Sequence, residues 1–413
     1  MIIIHGVNGL HVLPRALAPV LERAMRSFPV VVVTGSRQTG KSTLVRALDP
    51  ERVYRTLDDL EILERAREQP EALVVSAERQ TLDEVQRSPD LLLAVKRAVD
   101  ERREPGRFLL TGSANLLLMR RLAESLAGRA AYLSLWSLTR REQLGFGEAG
   151  GWSRLFAARD EEWADLLLAD EAPEEDWREL ACRGGYPVPA HDLTDAESRT
   201  LWYDGYVRTY LERDLQDLTA VTSLVDFRRL MRAVCLRIGS LVQQTDLGRD
   251  IGVSQPTVHR HLGLLETSYQ LVRLPAFSVN RTKRLIKTPK LYWADTGLAL
   301  FLAGETEPRG AHLENLVVTD LLAWRETHVP RPEILFWRTT AGEEVDIVIE
   351  HQGAVLPIEV KATAKPRFGE ARGLLAFRQE YEDISRAGLL LHCGTAVEWI
   401  AEGVLAAPWW RVL

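Results

Sequence analysis

Val30-Val-Val-Val33 runs through Thr34 into Gly35-Ser-Arg-Gln-Thr-Gly-Lys-Ser42, and this junction constrains the fold more than any other part of the chain. Four successive valines read as a strand buried on both faces, as in a parallel sheet. Ser42-Thr-Leu-Val-Arg-Ala-Leu48 then begins a helix. Between strand and helix each position of the GxxxxGK[ST] pattern has a task. Gly35 and Gly40 permit backbone angles that aim successive N–H groups at phosphates. Lys41 supplies the counter-charge to the β- and γ-phosphates, and the Ser42 hydroxyl ligates magnesium. The segment Gly35, Ser36, Arg37, Gln38, Thr39, Gly40, Lys41, Ser42 and Thr43 is therefore expected to hold ATP, with Mg2+ as its companion ion.

The flanking sequence agrees with a parallel α/β sheet reaching to about residue 135. Residues 14–28 predict a helix with Leu17, Val20, Leu21 and Ala24 on one face, ended by Pro29. Further strands are expected near Leu73–Val75 and at Arg107–Thr111, with a helix over Pro89–Glu101. Leu82-Asp83-Glu84 supplies the acidic pair expected at the end of a neighbouring strand. Asp83 is positioned to hold magnesium through water and Glu84 to orient and polarise the attacking water. Its lead-in, Glu78-Arg-Gln-Thr81, is polar where a buried strand should be apolar. Phe108-Leu-Leu-Thr-Gly-Ser-Ala-Asn115 reads as a strand ending in polar residues, of which Thr111, Ser113 and Asn115 are γ-phosphate sensor candidates. Arg129 is a candidate arginine finger acting on a neighbouring subunit's ATP.

At 413 residues the chain is long enough for several domains. Its net charge of −6 excludes a generally basic surface, so a nucleic-acid site has to be a local patch. No apolar run approaches the ~18 residues of a membrane span, and Met1-Ile-Ile-Ile-His-Gly lacks the basic start of a secretory signal. Cys182, Cys235 and Cys393 form no CxxC pair, which argues against structural zinc and for a cytoplasmic location.

Gly35–Ser42, Leu82-Asp-Glu-Val-Gln-Arg87, Leu110-Thr-Gly-Ser-Ala-Asn115 and Ser125-Leu-Ala-Gly-Arg129 resemble, in order and spacing, the prokaryotic AAA+ ATPases that carry a C-terminal domain of restriction-endonuclease-like fold. Gly184-Gly-Tyr-Pro187, Thr209-Tyr-Leu-Glu-Arg-Asp214, Lys287-Thr-Pro-Lys-Leu-Tyr292 and Asp295-Thr-Gly-Leu298 extend the likeness over nearly the whole chain. The resemblance implies an oligomeric ATPase with a winged helix and a nuclease-like fold, a hexamer being one form of that assembly. By position, Arg208 or Arg213 would be the sensor on the lid side.

Leu241–Ile251 and Ser254–Tyr269 predict two helices joined by Gly252-Val253, with Ser254 as N-cap and Pro256 in the first turn. Val258, Leu262 and Leu265 recur at helical spacing and should pack inward. That leaves Gln255, Thr257, Arg260 and His261 facing a DNA major groove. Beyond them Arg281, Lys283, Arg284, Lys287 and Lys290 are concentrated without an acidic residue, which reads as a phosphate-binding hairpin wing led by Lys283, Arg284 and Lys287.

The third constellation is Glu344-Val-Asp346, followed thirteen positions after Asp346 by the glutamate of Ile358-Glu-Val-Lys361, with Glu314 on an earlier helix. Strand alternation puts Glu359 and Lys361 on one face, and an adjacent strand can bring Asp346 beside them. Asp346, Glu359 and Glu314 are thus candidate magnesium ligands and Lys361 the group that stabilises attacking water or phosphate, the D…ExK core of restriction-like nucleases. The bland alternative is a nuclease fold kept as a DNA-holding scaffold.

The expected architecture is α/β: an AAA+ P-loop parallel sheet (1–140), a helical lid (141–225), a winged-helix domain (226–302) and a C-terminal PD-(D/E)xK nuclease-like α/β domain (303–413). The expected function is an ATP-hydrolysing oligomer that binds and remodels or translocates on DNA, duplex or branched, in the manner of a helicase or branch-migration motor. The alternative from another class is a nucleotide-gated DNA-binding regulator or defence switch without processive work.

Overall fold

The computed structural model describes residues 4–5, 11–112, 126–209 and 223–413. Five parallel strands form the N-terminal sheet: β1 (Val30–Thr34), β2 (Val53–Thr56), β3 (Gln80–Asp83), β4 (Phe108–Thr111) and β5 (Ala130–Ser134), in the order β2-β3-β4-β1-β5. The four valines of β1 lie inside the sheet between β4 and β5, each fully buried, with apolar side chains from both sheet faces against them. All strands point the same way, so the loops leaving β1, β3 and β4 meet at one edge. That edge is where an open α/β sheet gathers its ligand-binding groups.

Two expectations about this sheet change. Leu73–Val75 belongs to a helix, Pro70–Val75, opened by Pro70 with Glu71 in its first turn, and Leu73 and Val74 cap the buried face of the sheet. The missing strand is Val53-Tyr-Arg-Thr56. It went unread because it is an edge strand with one half-open flank, where polar residues are tolerated. The polar lead-in to Asp83 is resolved by Arg52. Its buried guanidinium donates to the carbonyls of Gln80 (2.8 Å) and Gly106 (2.7 Å) and to the Thr81 hydroxyl (3.3 Å). The Gln80 amide nitrogen bonds the Val74 carbonyl (2.5 Å) and its oxygen accepts from Arg55 (2.6 Å). Gln80 and Thr81 are therefore buried without unsatisfied groups, which is how a strand survives polar residues in a core.

From residue 149 to the C-terminus one hydrophobic core runs through the helical segment, the helix pair that follows and one face of the C-terminal sheet, whose other face carries a second cluster around Phe277, Trp337 and Phe377. Trp152, Trp163 and Trp177 of the helical segment are buried in it. Asp320 accepts from the Trp152 indole (2.6 Å) and the Gly150 amide (2.9 Å), and Arg386 reaches the carbonyls of Phe156 (3.1 Å) and Ala158 (2.6 Å). Helices α1 (Gln244–Ile251) and α2 (Gln255–Thr267) turn about Gly252, which has φ +78°, and precede the antiparallel ribbon of β6 (Leu271–Leu274) and β7 (Lys290–Trp293). The C-terminal sheet contains β8 (Glu333–Arg338), β9 (Glu344–His351), β10 (Ala354–Lys361), β11 (Gly388–His392), β12 (Glu398–Ala401) and β13 (Val404–Pro408), in the order β8-β9-β10-β11-β13-β12. Its pairs are antiparallel except β10–β11 and β11–β13. Helix α3 (Gly310–Glu326) packs on one face and contributes Leu313, Val317 and Leu321 to the shared core. Among the described residues no helix is long and apolar enough to cross a membrane.

Candidate nucleotide site and the groups around it

The loop after β1 is held in a shape that only its glycines allow. Gly35 has φ +144°, and a Cβ there would lie 2.3 Å from the Leu135 carbonyl oxygen. Gly40 has φ +90° and starts the helix Lys41–Leu48. Arg15, which no pattern in the sequence picked out, clamps the loop from behind. Its guanidinium donates to the carbonyls of Thr39 (2.7 Å) and Trp136 (2.7 Å) and pairs with Glu142 at 3.1 Å.

Lys41 is 5% exposed, and its ammonium donates to the carbonyls of Gly35 (3.2 Å) and Ser36 (2.7 Å). Burial lowers its pKa to about 8, only partly opposed by the nearby Glu84 and Asp83. Asp83 is buried between two hydroxyls, Thr111 and Tyr54, both of which donate to it. Glu84 follows in the left-handed region, φ +60°, with its amide near the Thr111 hydroxyl (3.4 Å) and its carboxylate accepting from Gln86. A non-glycine residue in this conformation is strained, and such strain collects where a side chain has to be aimed. Burial first, and Asp83 second, push the Glu84 carboxyl above its ordinary value, with Lys41 pulling the other way. A base tuned upward is better matched to accepting a proton near neutrality.

A cleft of about 460 Å³ opens beside these groups, lined by Arg37, Gln38, Gly40, Lys41, Ser42 and Thr43 on one side. Asp58 and Glu84 border it, and Pro187, Val188, His191 and Asp192 of the helical segment close it from above. The residues fit a magnesium nucleotide: glycine-shaped loop, buried ammonium, hydroxyl at the helix start, and a carboxylate pair. Ser42 and Asp83 would hold the ion, which would draw charge from the terminal phosphate; Glu84 would take a proton from water and Lys41 would neutralise the β- and γ-oxygens.

The lowered pKa of Lys41 gives a pH dependence of definite sign. The free protein's lysine titrates near 8, below its ordinary 10.5, whereas bound polyphosphate favours the charged form. ATP affinity should therefore be insensitive to Lys41 below pH 8 and weaken above it, by up to about tenfold per pH unit, with uptake of a proton on binding. Calorimetry in buffers of different ionisation enthalpy measures that proton; release of a proton, or none exchanged at pH 9, would contradict the assignment.

Ser113, Asn115 and Arg213 lie outside the described residues. Arg208 is exposed, held by Asp204 one turn back at 2.9 Å, and does not line the cleft. Arg129 pairs with Asp100 (2.6 Å) just before β5, and its carbonyl accepts from the amide of Val30 (3.4 Å). It stands at the end of the sheet opposite its own nucleotide loop, outside the cleft's lining.

The residues of the expected winged helix divide between core and surface. Val258, Leu262 and Leu265 are buried, while Gln255 and Arg260 are exposed and Thr257 is half-exposed. His261 is not at the surface: it is 2% exposed, edge-on to Phe227 with ring centroids 5.2 Å apart. Three residues after Val258, it falls on the same inward face. Between β6 and β7 the expected hairpin tip is a short helix, Arg281–Ile286. Arg284 is 6% exposed, bonded to Glu333 (2.7 Å) and Glu350 (2.6 Å), and Arg281 also pairs with Glu350 (2.8 Å). Acidic partners from β8 and β9, distant in sequence, consume these charges. Lys283 and Lys287 remain exposed.

The C-terminal constellation does assemble. Asp346 on β9 accepts from the Val360 amide (3.0 Å), and its own amide faces Glu359 (3.4 Å). Lys361 bonds Glu359, and Glu314 on α3 accepts from the Tyr292 hydroxyl. Burial, then Asp346, raises the Glu314 carboxyl to about 8 and the Glu359 carboxyl to about 7. A group expected in the basic wing stands among them instead: Lys290, whose ammonium is 3.2 Å from Glu314 and 3.3 Å from Asp346, and 2.5 Å from Glu344. Among the described residues no cluster of three or more His, Cys, Asp and Glu is arranged to hold a metal ion.

Sheet, glycine loop and acidic pair together define a P-loop ATPase domain of the AAA class, and residues 27–144 match the family described as AAA domain. Residues 174–309 and 309–412 match two domains of unknown function, DUF8612 and DUF4143. The chain is 32% identical over 362 residues to proteins of Mycobacterium tuberculosis and Mycobacterium bovis, each described as uncharacterized, covering 85% of this chain and 74% of theirs. It belongs to the same family as those two proteins. Among solved structures it is similar to a Walker-type ATPase of Pyrococcus abyssi, at 16% identity over 69% of this chain and 94% of that one, with a TM-score of 0.42. A signal transduction ATPase of Pyrococcus horikoshii with a tetratricopeptide repeat sensor is similar at 12% identity, over 75% of this chain and 46% of that one, with a TM-score of 0.26.

Proposed function

We propose that the chain hydrolyses ATP with Mg2+ and uses the nucleotide state to set how its winged helix engages DNA, as a nucleotide-gated DNA-binding protein. One observation carries this reading: hydroxyl groups join the nucleotide loop to the C-terminal end of α2. The Tyr186 hydroxyl reaches Ser36 Oγ (3.4 Å), the Tyr206 hydroxyl (3.0 Å) and Gln270 (3.4 Å). Tyr206 donates to the Arg37 carbonyl (3.4 Å), and Tyr269 bonds both Thr34 (2.9 Å) and Ser134 (3.0 Å). Tyr269 and Gln270 lie just beyond α2 and its C-cap Ser268, and the N-terminal half of that helix carries Gln255, Thr257 and Arg260. A shift of the loop on phosphate binding would thus be felt along a rigid helix roughly 20 Å long. Lys283 and Lys287 would add phosphate contacts. Processive remodelling of branched DNA by a homo-oligomer is the second reading, favoured by the placing of Arg129 on the edge away from its own loop.

Fluorescence anisotropy with duplex and four-way-junction DNA tests the proposal. Affinity should differ by roughly tenfold, a coupling of ~1.4 kcal/mol, between nucleotide-free and ATP-bound protein. Tyr206→Phe should shrink that difference. Lys283→Ala with Lys287→Ala should lower the logarithmic salt slope on duplex by about 1.8. Equal affinity in every nucleotide state would refute gating, and no binding in any state would refute the DNA reading.

A further inference from the structure

Two of the carboxylates expected to hold a divalent ion in the C-terminal domain, Glu314 and Asp346, already share a buried ammonium. Lys290 is the first residue of β7, so it comes from the winged-helix ribbon and not from the C-terminal sheet. It is 2% exposed, and its ammonium lies within bonding distance of three carboxylates from two elements: Glu314 of α3, and Glu344 and Asp346 of β9. An ammonium has three protons to donate, and here three carboxylates surround it. The second charged partner that a metal-bound water would need, Lys361, is also engaged, by Glu359. Tyr292, two residues along β7, donates to Glu314, and the backbone of Lys290 pairs with that of Leu241 on the other flank.

We infer that Lys290 is the resident cation of this cluster: it stands where a divalent ion would, fastens the winged-helix ribbon to the C-terminal sheet, and leaves that domain without a metal site. The three carboxylates do not fit a magnesium ion while the ammonium is between them, because ion and ammonium would compete for the same oxygens and repel each other. Buried carboxylates deprived of their counter-charge seek another one, since an unpaired buried charge is strongly unfavourable. Replacing Lys290 by a neutral residue of similar length should therefore create a cation site that the natural protein lacks.

The experiment uses nucleotide-free full-length protein and Mn2+ as the probe, read by the loss of the free-ion EPR signal and by thermal melting. Wild type should take up no Mn2+ at a total concentration on the order of 0.1 mM, within the range where weak oxygen-ligand sites bind, and its melting point should not move. Lys290→Met should bind about one Mn2+ per chain, melt higher with the ion than without it, and lose both effects when Asp346→Asn is added. Uptake of Mn2+ by wild type that disappears in Asp346→Asn overturns the inference outright, and that arm does not depend on the Lys290 variant folding. A folded Lys290→Met protein, with wild-type near-UV circular dichroism, that takes up no ion overturns it equally. The inference is independent of the proposed DNA gating, since no DNA or nucleotide enters the test.

Discussion

Glu84→Gln is expected to bind ATP with near wild-type affinity and to hydrolyse it at least about a hundredfold more slowly, the scale of losing a general base. The substitution keeps the length and the Gln86 contact of the side chain while removing its basicity. Glu84 is set apart by position: the strained φ of +60° turns it out of β3 beside the cleft, while Asp83 stays buried between Thr111 and Tyr54. The two neighbouring carboxylates thus have different environments, one hydrogen-bonded and fixed, the other half-buried with its pKa raised. In the proposed function, that division gives ion holding to Asp83 and proton transfer to Glu84. Single-turnover hydrolysis and nucleotide binding measured on the same preparation separate the two effects. A wild-type rate in Glu84→Gln would move the base elsewhere.

Lys41→Met should weaken ATP binding by roughly 10- to 100-fold, the loss of a charge-assisted contact of ~1.5–3 kcal/mol. Methionine keeps the buried stem and removes only the ammonium. Folding itself should not suffer. The folded pKa of Lys41 is about 8, below its ordinary value, so its charge is disfavoured by folding at neutral pH and the cost fades as pH rises toward 10.5. The nucleotide-free variant should therefore melt at or slightly above the wild-type temperature at pH 7, while the stabilisation conferred by ATP shrinks. A lower melting point with unchanged ATP affinity would make Lys41 a structural residue.

The parts legible in the sequence are those whose chemistry is local. The four valines, Gly35, Gly40, Lys41 and Ser42 need no distant partner to be read, and β1 and its loop stand as expected. Glu359 and Lys361 share a face because strands alternate, and Asp346 and Glu314 do come to them. What escaped the reading depends on contacts made across the chain. Arg281, Arg284 and Lys290 form a run of positive charge in sequence, yet Glu333, Glu350, Glu314, Glu344 and Asp346 meet them in space. Arg15 reaches the nucleotide loop across 24 residues and Trp136 across 121. His261 is the exception, because its burial follows from the same helical spacing that placed Val258 and Leu262. The motifs Gly184-Gly-Tyr-Pro187 and Asp295-Thr-Gly-Leu298 gain their reason together: Asp295 accepts from the Gly185 amide (2.6 Å) and caps the helix begun at Thr296. A Cβ at Gly184 would lie 2.6 Å from the Asp295 carboxylate.

The most direct test of the account is steady-state ATP hydrolysis by the purified chain, alone and with single-stranded, duplex and four-way-junction DNA, beside Glu84→Gln. Wild type should hydrolyse ATP in a magnesium-dependent manner, at a rate that changes several-fold with at least one DNA and falls at least about a hundredfold in Glu84→Gln. A chain that hydrolyses no ATP under any condition, or whose turnover is the same in Glu84→Gln and indifferent to every DNA, would contradict it.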